Sequence, residues 1–357
     1  MDAASDQSGG PTSGRTPESR EPFLPAASAA SRGARRGPSR QNGGKGRDPL
    51  AKLLDKQFGV LSRSQATTLG IGMSSIAYRI QPGGAWQRIF PGVYLTEAST
   101  PTVDQLDMAA LLYAGRASLL TGRAALRRYG FLPGATGIVD VLVPAASQRA
   151  DRSYVRVHRT RRMPSQYYCQ GAIRFTAIPR AVTDAALAAN NVRDMRAIVC
   201  LGVDRGSSLE DLAAELGQSR LRNSVRLRAV MADVARGIRS GPEGDLMDLI
   251  DRSSLPAPVY NPRLYVGDAF LASPDAWWEA FGVAVEVDSR EYHFDEADWE
   301  HTMQRHARMT AAGISVLHFT PRRVRFEPQL VISTIRQTLQ TGGPVAGLRT
   351  IAGTAER

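Results

Sequence analysis

Three carboxylates stand out by their spacing. Asp275 follows Pro274, and eleven residues later come Glu286 and Asp288, separated by Val287. Glu286 and Asp288 close the apolar run Val283-Ala284-Val285, which predicts a strand. Residues two apart on a strand share one face. Asp275 follows a second predicted strand, starting at Ala269, and can converge on the pair. Grouped carboxylates repel, and one of them is ordinarily driven neutral. A divalent cation relieves that cost. Mg²⁺ (or Mn²⁺) held by Asp275, Glu286 and Asp288 would keep several waters, lower the pKa of one, and stabilise charge on a phosphate.

The elements around these residues run helix, strands, helix, strand, helix. A helix opens at Ser240-Gly241-Pro242-Glu243, where Ser240 and Glu243 spell a capping box. A helix with Met303, His306 and Met309 precedes the buried strand Ile314–Phe319, and a last helix covers Leu330–Leu339. His301, His306 and His318 read as structural. Lys45, Lys52 and Lys56 are the only lysines, so no lysine can serve a site in the C-terminal half.

Composition sets the wider bounds. The chain has 357 residues, 43% of them hydrophobic, enough for two or three cored domains. The formal charge of +11 suits a polyanionic partner, DNA first, although a basic tail on a neutral enzyme gives the same total. Cys169 and Cys200 make no disulfide framework, which fits a reducing cytoplasm. No apolar run approaches the roughly 18 residues of a membrane span.

Residues 1–48 are rich in Gly, Ser, Pro, Ala and Arg without apolar periodicity, and predict a disordered basic tail. Over 49–98, Leu50, Leu53, Leu54 and Phe58 form one helix face. Ser62 and Gln65 spell a capping box for a second helix. Ser74 or Ser75 caps a third, and Trp86–Leu95 reads as a hairpin turning at Pro91-Gly92. Three short helices and a hairpin follow the order of a winged helix-turn-helix, with the third helix in the major groove. Arg63, Ser75, Tyr78, Arg79 and Arg88 are the candidate DNA contacts. Residues 99–238 predict an α+β connector. It has a basic strand around His158 and an arginine-bearing helix at Leu221–Arg239, both read mainly as solvated. The acidic module occupies 239–342, and 343–357 is expected to be a flexible tail. The expected class is a multidomain α+β and α/β protein.

Two family resemblances sharpen these expectations. Gly59–Ala66, Leu69-Gly70-Ile71 and Trp86–Tyr94 resemble the N-terminal winged helix of AbiEi-type antitoxins of type IV toxin–antitoxin systems. That implies DNA as partner, and a cognate toxin or a homodimer besides. Glu243, Pro274-Asp275, Glu286-Val287-Asp288, Tyr292-His293 and Arg305–Phe319 resemble a PD-(D/E)xK nuclease domain of the Vsr-like kind. This resemblance implies a restriction-endonuclease-like mixed sheet flanked by helices. It also implies a catalytic set of Glu243, Asp275, Glu286, Asp288 and His293. The family's lysine position holds Asp288 here, and Ser289 replaces a common glycine. His293 would then take the base role, which arginine cannot fill. Two functions remain open: a metal-dependent DNA endonuclease, or a non-enzymatic regulator or antitoxin with a degenerate nuclease domain.

Deleting residues 1–48 is expected to leave the melting temperature nearly unchanged, because they offer no apolar face to bury. A drop of several degrees in calorimetry would show that the tail packs.

Overall fold

The first helix is entered through Asp48, whose carboxylate accepts the Leu50 N–H at 3.1 Å. The computed structural model describes residues 48–132, 137–217, 223–287 and 296–352, with 296–299 and 301–302 treated as backbone only. The tail expected at 1–48 lies outside them except for Asp48. The described residues belong to one packed unit of mixed α and β structure.

The N-terminal elements are α1 (Pro49–Lys56), β1 (Val60–Ser62), α2 (Arg63–Thr68), α3 (Met73–Arg79), β2 (Gln87–Phe90) and β3 (Val93–Leu95). The strands form an antiparallel sheet in the order β1-β3-β2. The Ser62–Gln65 capping box forms in both directions. Leu61, Ala66, Ile76, Trp86 and Tyr94 make the small core beneath it. Two local expectations are corrected. Phe58 has φ +54°, so α1 ends before it, and its ring packs beside Gly171 instead of joining the helix face. Gly72 is the N-cap of α3, and Ser74 and Ser75 lie inside the helix, so neither caps it.

The middle of the chain builds a five-stranded mixed sheet in the order β6-β5-β4-β8-β7. Its strands are β4 (Leu119–Leu120), β5 (Val139–Pro144), β6 (Val155–Thr160), β7 (Tyr167–Gln170) and β8 (Ile173–Thr176). Helices α4 (Val103–Ala114), α5 (Gly122–Arg128), α6 (Ile178–Leu187), α7 (Val192–Asp204), α8 (Leu209–Gly217) and α9 (Ser224–Ala235) complete this part. Asp107, fully buried, is bonded by Arg127 at 2.7 Å and by Arg128 Nε at 2.8 Å, so the charge is matched where water is excluded. The helix expected over Leu221–Arg239 is shorter, and Val225 faces solvent, outside the buried stripe Leu227, Val230, Met231, Val234.

The C-terminal part opens with α10 (Gly241–Asp251), then β9 (Val259–Tyr260), β10 (Arg263–Val266), β11 (Ala269–Ala272), β12 (Ala276–Trp278) and β13 (Val283–Val287). It continues with α11 (Glu296–Ala311), β14 (Ser315–Phe319), α12 (Pro321–Phe326), α13 (Pro328–Thr341) and β15 (Leu348–Ile351). One sheet runs β14-β13-β12-β9, with β13 parallel to β14 and antiparallel to β12. A second runs β11-β10-β15. The segment expected as a flexible tail from 343 therefore supplies a strand. Thr350 Oγ1 accepts the Trp277 indole N–H at 3.1 Å, which ties β15 to the sheet core. No helix among the described residues is long and apolar enough to cross a membrane.

Arg196 on α7 is 1% exposed and binds Asp233 on α9 at 2.8 Å and Asp248 on α10 at 3.1 Å. α10 passes so close that a Cβ on Gly244 would sit 2.2 Å from Arg196 Cδ. Gly244→Ala should destabilise the protein by about 1–3 kcal/mol, because overpacking outweighs the roughly 1 kcal/mol gain in helix propensity. Urea denaturation measures this, and a stabilised variant would show that Arg196 can move aside.

Candidate acidic site

β13 is the central strand, and all five of its residues are buried. Asp275 follows a strand, as expected, and also leads into the next. β11 stops at Ala272, and Asp275 immediately precedes β12, whose Ala276 pairs with Val285. That register sets Asp275 beside the C-terminal end of β13. Its Oδ2 accepts the Val287 N–H at 2.6 Å. Glu286 is 4% exposed and pairs in register with His318 of β14. Its Oε2 accepts from Arg305 of α11 at 2.9 Å and lies 3.6 Å from His318 Nδ1. Its Oε1 is buried without a hydrogen-bond partner.

Glu243 reaches the same place from α10. Ser240 caps the helix, but the Glu243 carboxylate does not return to the Ser240 N–H as a capping box requires. Its Oε2 accepts instead from Arg239 N at 2.9 Å and Asn261 Nδ2 at 2.6 Å. Asn261 holds φ +45° between β9 and β10, and its N–H donates to the Asp275 carbonyl at 3.2 Å. Asn261 thus bridges Glu243 and the Asp275 backbone, a role not visible in the sequence.

The electrostatics follow from this enclosure. Asp275 keeps part of its surface open, but protein atoms crowd its carboxyl. Burial and the neighbouring charge of Glu243 push its pKa up to about 8; the Val287 hydrogen bond and Arg305 oppose them, and Glu286 reinforces them. Glu286, by contrast, has a cation against it.

Three of the five expected catalytic residues are therefore brought together: Glu243, Asp275 and Glu286. Asp288 and His293, with Tyr292, lie outside the described residues. Among the described residues no group of three or more His, Cys, Asp or Glu side chains is placed to hold a metal ion. His306 and His318, expected to be structural, bring their rings 4.7 Å apart, and His318 Nδ1 lies 3.6 Å from Glu286. The signal was available: a histidine inside the apolar run Ser315–Phe319, on the strand that must flank β13.

Tyr78 is 72% exposed on α3, one helical turn from half-buried Ser75. Arg79 lays its guanidinium over the Trp86 ring at 4.8 Å, which orients it. Arg63 and Arg88 are exposed at the start of α2 and on β2.

No protein-family model matches the chain, and no curated protein matches it in sequence. Among solved structures, it is similar to the crystal structure of the RV2827C protein from Mycobacterium tuberculosis, at 16% identity and a TM-score of 0.37. That match covers 60% of this chain and 83% of the other, a likeness too low to assign fold or function.

The raised pKa of Asp275 makes stability pH-dependent. Below about pH 4 its carboxyl is protonated whether the chain is folded or not. Between there and about pH 8 the unfolded chain releases a proton that the folded protein keeps. Stability should therefore fall as pH rises, by up to about 1.4 kcal/mol per unit from this group, and level off above its folded pKa. Urea melts from pH 5 to pH 9 read that decline, and Asp275→Asn should flatten it. An unchanged pH profile in the variant would show that Asp275 ionises normally.

Proposed function

We propose that this chain is a DNA-binding protein in which an N-terminal winged helix engages duplex DNA and a C-terminal PD-(D/E)xK-like module hydrolyses phosphodiester bonds. The observation that carries the hydrolytic part is the meeting of Asp275 and Glu286 at the end of β13. One carboxyl is driven toward neutrality, and the other keeps a buried oxygen without a partner. Natural cores avoid both conditions unless a ligand uses them.

The donor set fits a hard divalent cation, which prefers carboxylate oxygens. Asp275 and Glu286 would hold it, with Asp288 as the third ligand that the sequence spacing suggests. Such an ion supplies an activated water and charge neutralisation at the phosphate. The protein's own groups do the rest. Arg305, on the acidic cluster, can turn its guanidinium to a phosphate oxygen. Glu243 and Asn261 fix the Asp275 backbone, and β14 sets His318 at Glu286. His293 is the proposed base.

For the N-terminal part, support comes from the element order, the β1-β3-β2 sheet, and the exposed face of α3 bearing Tyr78. The β2–β3 turn, only Pro91-Gly92, would make a short wing. One observation favours a second, regulatory reading: Arg305 already neutralises Glu286 without a metal, as in a module that has lost hydrolysis.

Incubation of the full chain with supercoiled plasmid and Mg²⁺ or Mn²⁺ should produce nicked DNA, and EDTA should stop it. The same ions should raise the melting temperature by linkage. Glu286→Gln should remove both effects. Metal stabilisation without nicking would select the regulatory reading, and absence of both would overturn the metal site.

A further inference from the structure

A second surface lies away from the acidic site. A groove of about 1130 Å³ runs between the N-terminal elements and the five-stranded sheet. Its walls come from α1, the start of α2, the Pro91-Gly92 turn, the end of α4 and the β7–β8 hairpin. Arg63, Arg116, Arg149 and Arg174 line it, and among the described residues no Asp or Glu does. Among the described residues none of these four is in an ion pair, whereas other arginines of the sheet region, such as Arg127, Arg128 and Arg162, are committed to carboxylates. Arg149 lies over the Tyr113 ring at 5.4 Å, a guanidinium plane supported from below.

A second observation points to a ligand. Gln57 is 7% exposed, lines the groove, and its Oε1 is buried with no hydrogen-bond partner. An orphaned acceptor of that kind calls for a donor. The occupant must then carry distributed negative charge and N–H or O–H donors. The groove also exceeds the roughly 300–1,000 Å³ of sites built for one small ligand. A duplex is too broad to enter a groove of this volume. One strand, with phosphates to the arginines and base edges free to donate, fits.

We propose that this groove binds an unpaired nucleic-acid strand. It is a surface separate from the duplex-binding face, and the two share Arg63 alone.

The test uses the full chain and a fluorescein-labelled oligothymidylate of about twelve nucleotides, a length within the range one such site covers. Anisotropy should show binding. Arg116→Glu with Arg149→Glu and Arg174→Glu should weaken it at least about tenfold and lower the salt slope by about 2, as loss of three phosphate contacts predicts. Duplex binding should persist in that variant. Tyr78→Ala with Arg88→Ala should do the reverse, so failure of the winged-helix reading leaves the groove result intact. The unaltered protein gives a readout that needs no mutant to fold. Cys169 lines the groove and is exposed, and Cys200 is buried. The oligonucleotide should slow maleimide labelling of Cys169, and ATP at the same nucleotide concentration should not. Absent oligonucleotide binding, full affinity in the folded triple variant, unchanged Cys169 labelling, or equal protection by ATP would each overturn the proposal.

Discussion

The arrangement of the C-terminal half depends on one buried cation. Removing a guanidinium from water costs several kcal/mol, and only well-placed carboxylates repay it. Arg196 meets that condition through Asp233 and Asp248, which stand on α9 and α10. Displacing either helix would strip the buried guanidinium of one of its two carboxylates. Gly244 lets α10 approach closely enough for the contact. α10 carries Glu243 at its first turn, Glu243 binds Asn261, and Asn261 binds the backbone of Asp275. The position of the acidic site is thus inherited, through α10 and two hydrogen bonds, from the Arg196 salt bridge.

The two carboxylates at the end of β13 are not equivalent. Glu286 has a guanidinium against one oxygen. Asp275 is driven toward neutrality by burial and by the charges of Glu243 and Glu286, which a single backbone N–H and Arg305 fail to offset. A cation arriving there would have to displace a proton from Asp275 and compete with Arg305 for Glu286. Both costs fall on metal affinity, and the first makes it pH-dependent. The same features that recommend the site for a metal therefore set a threshold for holding one.

What could be read from the sequence follows the strength of local signals. The Ser62–Gln65 capping box and the Trp86–Leu95 hairpin are specified within a few residues, and the observed elements match them. The apolar run Val283–Val287 could only be a buried strand, so Glu286 was found at once. β4 was not legible, because two leucines carry no period and their strand is defined by neighbours distant in the chain. β15 was hidden for the same reason: its partner β10 lies more than eighty residues away, and its own alternation is weak. Asn261 was missed because left-handed backbone at a non-glycine residue announces itself only in the fold. Asp275 was expected to follow the strand starting at Ala269, as it does; that it also leads directly into β12 was not legible, since Pro274 looked like an end.

The net charge of +11 suggested a polyanionic partner but could not locate its surface. The fold explains why. Many arginines balance internal acids: Arg127 and Arg128 answer Asp107, Arg162 answers Glu215, Arg180 answers Asp184, and Arg196 answers two aspartates. Most of these pairs lie within or between helices and present little field to solvent, because each cation is cancelled within a few ångströms. A surface positive potential arises only where arginines gather without carboxylates. Counting arginines along the sequence cannot find such a place, since Arg63, Arg116, Arg149 and Arg174 are scattered over more than a hundred residues. Only folding brings them to one groove, and among the described residues no Asp or Glu lines it. The excess charge is thus a property of the whole chain, whereas the capacity to attract a polyanion belongs to the few positions where the structure leaves charge uncancelled.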